Sequence, residues 1–288
     1  MPEGDSVFRL ALRLRAALDG TTLAAGELRV PQHARADLSG RQVLGHDTHG
    51  KHLMQRFSGG LTLHNHLRLD GTWTVTRDGR SVPRRVQPDV RIRLATTGGV
   101  TAWGVAIPIV ELVETRQEAD VVGFLGPDPL RPDWDEAEAV RRVASDPQRP
   151  VLEAIRDQRN LAGLGNLWVN EVCFLRGVHP DRPVREVALE PLVRLAARML
   201  RHSATHPDAY QITTGDRRRG STHWVVGRAS RPCLRCGTLV IGRGVHPPPR
   251  TAAAPQDSRP ADVPQAVRRN RLGGPGRTYW CPHCQPSP

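Results

Sequence analysis

Three scarcities bound the chain before any motif is read. None of its 288 residues belongs to a stretch approaching the ~20 uninterrupted apolar residues of a membrane-spanning helix, so no membrane partner is expected. An apolar signal core after Met1 is missing too, which points to a cytoplasmic chain. Cysteine is sparse, with five residues, and in a chain without an export signal a disulfide framework is not the expected use of them. The sharpest scarcity is lysine: of 41 Lys plus Arg, only Lys51 is lysine. A bias of that strength reflects genome composition, but it makes the surviving lysine informative. Lysine offers a compact ammonium whose pKa shifts readily, whereas arginine is a planar fork that stays charged. Chance survival is the plain alternative.

What is present is positive charge. The formal balance is +12 and the pI about 11.0, which implies a polyanionic partner, most often nucleic acid. Most of the excess lies in the last third, where residues 201–288 hold 14 Arg against 4 Asp. A generic basic tail would look the same, so charge gives the class of partner and no chemistry.

The chemistry starts at Met1-Pro2-Glu3-Gly4-Asp5-Ser6. Removal of Met1, expected before a small second residue, leaves Pro2 with a free secondary amine. An α-amino group titrates near ~7.7–8.0 against ~10.4 for lysine, so at neutral pH it is the better supplied with uncharged nucleophile. Such an amine can attack a sugar carbon and form a Schiff base, with Glu3 beside it as a general acid or base. An ordinary chain start is the bland alternative.

From Asp5 or Ser6, either of which can cap a helix, Val7, Leu10, Ala11, Leu14, Ala17 and Leu18 recur at helical spacing up to a stop at Gly20. Thr21 to about Ile107 reads as short strands, among them Lys51–Phe57, Leu61–His66 and Trp73–Thr76, broken at Ser58-Gly59-Gly60 and Asp70-Gly71. This pattern predicts a sandwich or barrel-like domain with Lys51 opening a strand after Gly50. Pro127, Pro129 and Pro132 mark a linker, and helical patterns follow over Asp133–Ala144, Pro150–Asp157, Leu167–Leu175 and Val187–His202. Residues 158–166, with Gly163 and Gly165, form a tight connection between two helices, a layout by which helix pairs present backbone amides to DNA. A plain helical hairpin has the same spacing.

Near the end, Cys233-Leu234-Arg235-Cys236 and Cys281-Pro282-His283-Cys284 form two CxxC knuckles, read as one tetrahedral structural Zn2+ held by Cys233, Cys236, Cys281 and Cys284. The 44 residues between the pairs exceed the usual ~15–20, and the excess, Gly242–Gly276, is rich in Pro, Ala, Arg and Gly and reads as a disordered insertion. Cys173, on an apolar helical face, is expected in a core.

Taken together, Met1-Pro2-Glu3-Gly4, Gly50-Lys51, the run Asp157 to Asn166, Gly227 to Cys233 and Arg277 to Gln285 resemble the formamidopyrimidine-DNA glycosylase and endonuclease VIII family, in its order and over nearly the whole chain. The resemblance implies an α+β multidomain protein: a β-sandwich-like catalytic domain with an N-terminal helix (1–126), a helix–two-turn–helix domain (127–232) and a zinc finger (233–288) carrying the insertion. It implies a DNA glycosylase with abasic-site lyase activity in base excision repair, acting on damaged double-stranded DNA, with single strands as a further substrate left open, with monomer as the default state and no organic cofactor. Pro2 matches the nucleophile, Glu3 the acid/base, and Lys51 a phosphate-contacting lysine, which with Arg277 complete the catalytic set. Asn166 and Arg277 match a pair gripping phosphates beside the lesion. Leu69, in His66-Leu67-Arg68-Leu69-Asp70-Gly71, matches a tip that fills the vacated space, a buried strand leucine being the alternative. Glu171 matches an acidic residue that helps hold the N-terminus. Two departures point to the endonuclease VIII branch and oxidised pyrimidines: Asp5 and Ser6 stand where many members carry Pro and Glu, and residues 100–111 hold no Asp-x-Arg-x-Phe wedge of the oxidised-purine enzymes. The same fold acting on oxidised purines, and a zinc-finger DNA-binding protein without catalysis, are the rival readings.

Overall fold

The computed structural model describes residues 2–244 and 276–288. Helix α1, Gly4–Leu18, is followed by eight strands: β1 Leu23–Leu28, β2 Val43–His49, β3 His52–Phe57, β4 Leu61–His66, β5 Thr72–Thr76, β6 Val90–Thr96, β7 Thr101–Val105 and β8 Ile109–Glu114. They form two four-stranded antiparallel sheets, β1-β6-β7-β5 and β2-β3-β4-β8. Alternating side chains supply one face of each sheet to a shared core, in which Leu53, Phe57 and Leu63 from one sheet meet Ile92, Leu94 and Ala102 from the other. Val7, Leu10, Leu14 and Leu18 of α1 join the same core, and burial of each leucine contributes about 1.5–3 kcal/mol.

The helical region runs α2 Glu118–Val122, α3 Glu136–Val143, α4 Val151–Arg156, α5 Asn166–Leu175 and α6 Leu189–Thr205, around a separate core centred on Trp168, Val169, Val172, Leu192 and Val193. Asp135 caps α3 by accepting the Glu138 N–H at 2.9 Å. Cys173 is fully buried in this core, where burial pushes its thiol up to about 12, as expected of a packing residue. Helix α6 packs against α1 as well as α3 and α5, so the N-terminal segment is shared by the two regions. The finger follows, with strands β9 Ile241–Arg243 and β10 Thr278–Trp280 paired antiparallel.

The differences from the sequence reading are local. Helix α1 starts at Gly4, and Asp5 is inside its first turn rather than a cap. Helix α2 was not legible in the apolar spacing. Gly242 and Arg243 of the expected insertion belong to β9; its residues 245–275 lie outside the described residues. Among the described residues no helix is long and apolar enough to cross a membrane.

Candidate active site

The site is built where α1 meets the turn between α4 and α5. That turn is stapled by Gln158: its amide donates to the carbonyls of Arg156 at 2.8 Å and Leu164 at 2.7 Å and accepts the Gly163 N–H at 3.0 Å. Gly163 has φ +93°, and its carbonyl accepts the Gly4 N–H at 2.8 Å. The approach is too close for side chains: a Cβ on Gly4 would come within 2.8 Å of the Gly163 Cα, and one on Gly165 within 2.5 Å of the Glu3 Cδ.

This contact seats Glu3. Its carboxylate, 1% exposed, accepts the N–H groups of Gly165 at 2.8 Å, Leu167 at 2.7 Å and Trp168 at 3.4 Å. These are first-turn donors of α5, which has no cap of its own, so Glu3 caps a helix 160 residues away and takes its positive end. Pro2, half-buried, is therefore held at a fixed place by its neighbour.

Lys51 reaches the same point from the sandwich. Gly50 and Lys51 are the two central residues of the β2–β3 hairpin, in which His49 faces His52; Gly50 has φ +58° as a II′-type turn requires. Lys51 thus lies in the turn rather than opening the strand. The turn is docked by Asp128, whose carboxylate accepts the Gly50 N–H at 2.7 Å and the Leu130 N–H at 2.8 Å, and by His49 on the Gly126 carbonyl at 3.0 Å. Arg56 to Glu118 (2.7 Å) and Arg131 to the Thr48 carbonyl (3.3 Å) hold the same seam.

Electrostatics follow from this burial. Desolvation raises the Glu3 pKa above its ordinary 4.5; Lys51 and the amide bonds oppose the rise and Asp5 adds to it. Desolvation likewise lowers the Lys51 pKa below its ordinary 10.5, against the pull of Glu3 and Asp5. Asp5, fully buried, has its pKa raised by desolvation and accepts the Ser203 hydroxyl at 2.6 Å and the Gln211 amide at 3.5 Å. Asp5 therefore does more than start a helix, while Ser6 bonds the Tyr210 hydroxyl at 2.8 Å.

The remaining residues divide. Asn166, at the start of α5, is 2% exposed, and neither its amide nitrogen nor its oxygen has a partner among the described residues. Arg277 immediately precedes β10. Leu69 is 41% exposed in the β4–β5 connection, whereas Leu67 takes the buried position, so the buried-leucine alternative falls. Glu171 is a correction. Its buried carboxylate accepts the N–H groups of Trp224 at 2.8 Å, Val225 at 2.9 Å and Val226 at 2.9 Å and the Thr213 hydroxyl, so it anchors the 213–226 segment rather than the N-terminus. Residues 100–111 comprise Val100, β7, a connection of Ala106, Ile107 and Pro108, and the start of β8; Ile107 is buried in the core, and no wedge is built there.

The sulfurs of Cys233, Cys236, Cys281 and Cys284 all lie within 4.8 Å of one another. Around them the Arg235 N–H points at the Cys233 sulfur (3.4 Å), and Gln285 both accepts the Cys281 N–H (3.0 Å) and donates to the Val178 carbonyl (2.8 Å). Four clustered thiol donors of this kind can hold one soft or borderline metal ion.

Residues 1–104 match the formamidopyrimidine-DNA glycosylase N-terminal domain and residues 125–204 the formamidopyrimidine-DNA glycosylase H2TH domain. The chain is 42% identical to a probable endonuclease 8 2 of Streptomyces coelicolor, over 100% of this chain and 95% of the relative. The chain belongs to the formamidopyrimidine-DNA glycosylase and endonuclease VIII family. Within it, the chain is 39% identical to the DNA-(apurinic or apyrimidinic site) lyase Nei2 of Mycolicibacterium smegmatis over 99% of each chain, and 30% identical to a formamidopyrimidine-DNA glycosylase of Moorella thermoacetica over 69% of this chain and 76% of that one. In fold, it matches the Lactococcus lactis Fpg solved with DNA containing N7-benzyl-Fapy-dG, with a TM-score of 0.71 at 20% identity, covering 99% of this chain and 100% of that one. Of the residues singled out from sequence, Pro2, Glu3 and Lys51 meet at one place and Asn166 opens the helix that Glu3 caps. Asp5, Asp128 and Gln158 were missed as site-builders: Asp5 and Asp128 bond residues remote in sequence, and no spacing rule marks the bonds Gln158 makes within residues 156–164.

Proposed function

We propose that this protein is a DNA glycosylase and abasic-site lyase of base excision repair whose nucleophile is the amine of Pro2, freed by removal of Met1. The observation that carries the reading is the seat of Glu3: a buried carboxylate with raised pKa, fixed on α5 directly beside Pro2 and within electrostatic reach of Lys51. The Pro2 nitrogen attacks C1′ of the damaged nucleotide, and the N-glycosidic bond breaks with its electron pair leaving on the base. The Pro2 nitrogen gives up its proton to the departing base, and Glu3 protonates O4′ as the sugar ring opens, giving an iminium (Schiff base) between Pro2 and C1′. A raised pKa suits a carboxyl that must hold a proton near neutral pH. The imine acidifies C2′; loss of that proton expels the 3′ phosphate, and a second elimination expels the 5′ phosphate. Hydrolysis then returns the amine.

Lys51 supplies a compact cation where the hairpin meets the N-terminus and contacts backbone phosphate. Asn166, whose buried amide has no partner among the described residues, and Arg277 hold phosphates flanking the lesion, which fixes register and adds no sequence information. Leu69, exposed at its turn, fills the space left by the everted nucleotide, whose unstacking costs a few kcal/mol. The four cysteines hold one structural Zn2+, which ties the two knuckles of the finger together; residues Cys233, Cys236, Cys281 and Cys284 are its ligands. The absence of a wedge between β7 and β8 supports oxidised pyrimidines as substrates, acting on double-stranded DNA.

Borohydride trapping on abasic and thymine-glycol duplexes tests the reading. The wild type should give a covalent protein–DNA adduct, and Pro2→Leu, which retains Met1, should give none. No adduct from the wild type on any lesion would favour a non-catalytic binder, and faster cutting of 8-oxoguanine than of thymine glycol would overturn the pyrimidine assignment.

A further inference from the structure

The finger must place Arg277 at a definite distance from Asn166 if both are to close on one strand. Strand β10 alone is a weak support, since its pairing with β9 covers three residues and Gly276, with φ +87°, precedes Arg277. A second connection is made by Asn170. It lies one helical turn beyond Asn166 on α5 and is fully buried. Its amide nitrogen donates to the Asn166 carbonyl at 2.6 Å and to the Arg277 carbonyl at 3.3 Å, and its oxygen accepts the Tyr279 N–H at 2.7 Å. One side chain thus grips the backbone of Asn166, Arg277 and Tyr279 together. Asparagine is a poor residue for a helix interior, and a leucine would fill the space without making any of these bonds. The rest of the finger is docked elsewhere, by Gln285 on the Val178 carbonyl and by the bidentate Arg243–Asp181 pair at 2.6–2.8 Å.

We propose that Asn170 is a positioning residue that sets Arg277 at a fixed span from Asn166, so that the helical turn and the finger close on DNA as one clamp. The inference rests on the reading of Asn166 and Arg277 as phosphate contacts. The same amide bonds both backbones, so loss of it frees the span without touching either donor.

The test is a double-mutant cycle in the zinc-loaded protein, read as affinity for a duplex holding the abasic analogue tetrahydrofuran. Asn170→Ala should weaken binding about tenfold and reduce the salt slope by about one, as expected for loss of one phosphate contact. In an Arg277→Ala background Asn170→Ala should change neither quantity. Asn170→Asp, which keeps the acceptor for the Tyr279 N–H but cannot donate to either carbonyl, should behave as Asn170→Ala and retain one equivalent of zinc. Equal losses from Asn170→Ala in both backgrounds would overturn the proposal, as would loss of zinc in both variants, which would make Asn170 a support of the finger's fold. If Arg277→Ala alone leaves affinity unchanged, the phosphate-contact reading itself fails.

Discussion

Helix α5 carries a buried carboxylate at each of two places, and the two are built alike. Glu3 sits on its N-terminus and Glu171 lies within it; each is 1% exposed or less and each accepts three backbone N–H groups. Their surroundings differ. Glu171 has the Thr213 hydroxyl as its fourth donor, and its partners among the described residues lie in one segment, 213–226. Glu3 has Lys51 and Asp5 in electrostatic range and Pro2 beside it, and its pKa is displaced. Glu171 ties down one segment of backbone, whereas the cation, the second buried acid and the adjacent amine around Glu3 fit the proton-transfer role proposed for it.

Substitution separates the two carboxylates. Glu3→Gln should lower single-turnover base release by about 10²–10⁴-fold while the protein stays folded, as for loss of a general acid. Glu171→Gln should do the reverse: release per folded molecule changes much less, and the thermal midpoint falls, because a buried donor left unpaired costs about 1–3 kcal/mol. Equal kinetic losses from the two would end the distinction. Stripping the metal with a chelator should come next in size, cutting DNA affinity about tenfold with a smaller salt slope as Arg277 is released. Metal analysis well below one equivalent in the native protein would remove that prediction.

The smallest effect is also the most specific. Because the carboxylate of Asp5 raises the Glu3 pKa, Asp5→Asn should move the Glu3 ionisation in the pH–rate profile to lower pH. Lys51 lowers the Glu3 pKa, so Lys51→Met should move the same ionisation to higher pH. With Glu3 as the proposed general acid, active when protonated, base release should fall as pH rises through that ionisation, earlier in Asp5→Asn and later in Lys51→Met. Shifts of the same sign in both variants would mean that the ionisation belongs to another group.

Much of this molecule is local. Val7, Leu10, Leu14 and Leu18 define α1 by spacing alone, the Gly59-Gly60 and Gly71 breaks define strand ends, and two CxxC knuckles define the cysteine cluster. A period of 3.6 or 2 and a Gly at a turn are properties of a few consecutive residues, so the sequence by itself determined them. It also marked Pro2, Glu3 and Lys51 through residue chemistry and scarcity. What each buried polar group binds depends instead on how the elements pack. Glu171 serves residues 213–226, Asp5 is buried against Ser203 and Gln211, Asp128 docks the Gly50 turn, and Asn170 joins the finger to the helix. These bonds span between 42 and 206 positions, and a carboxylate or amide is indifferent to which N–H it meets. Burial makes some partner obligatory, and the packing of α1, α5, α6 and the finger selects which one.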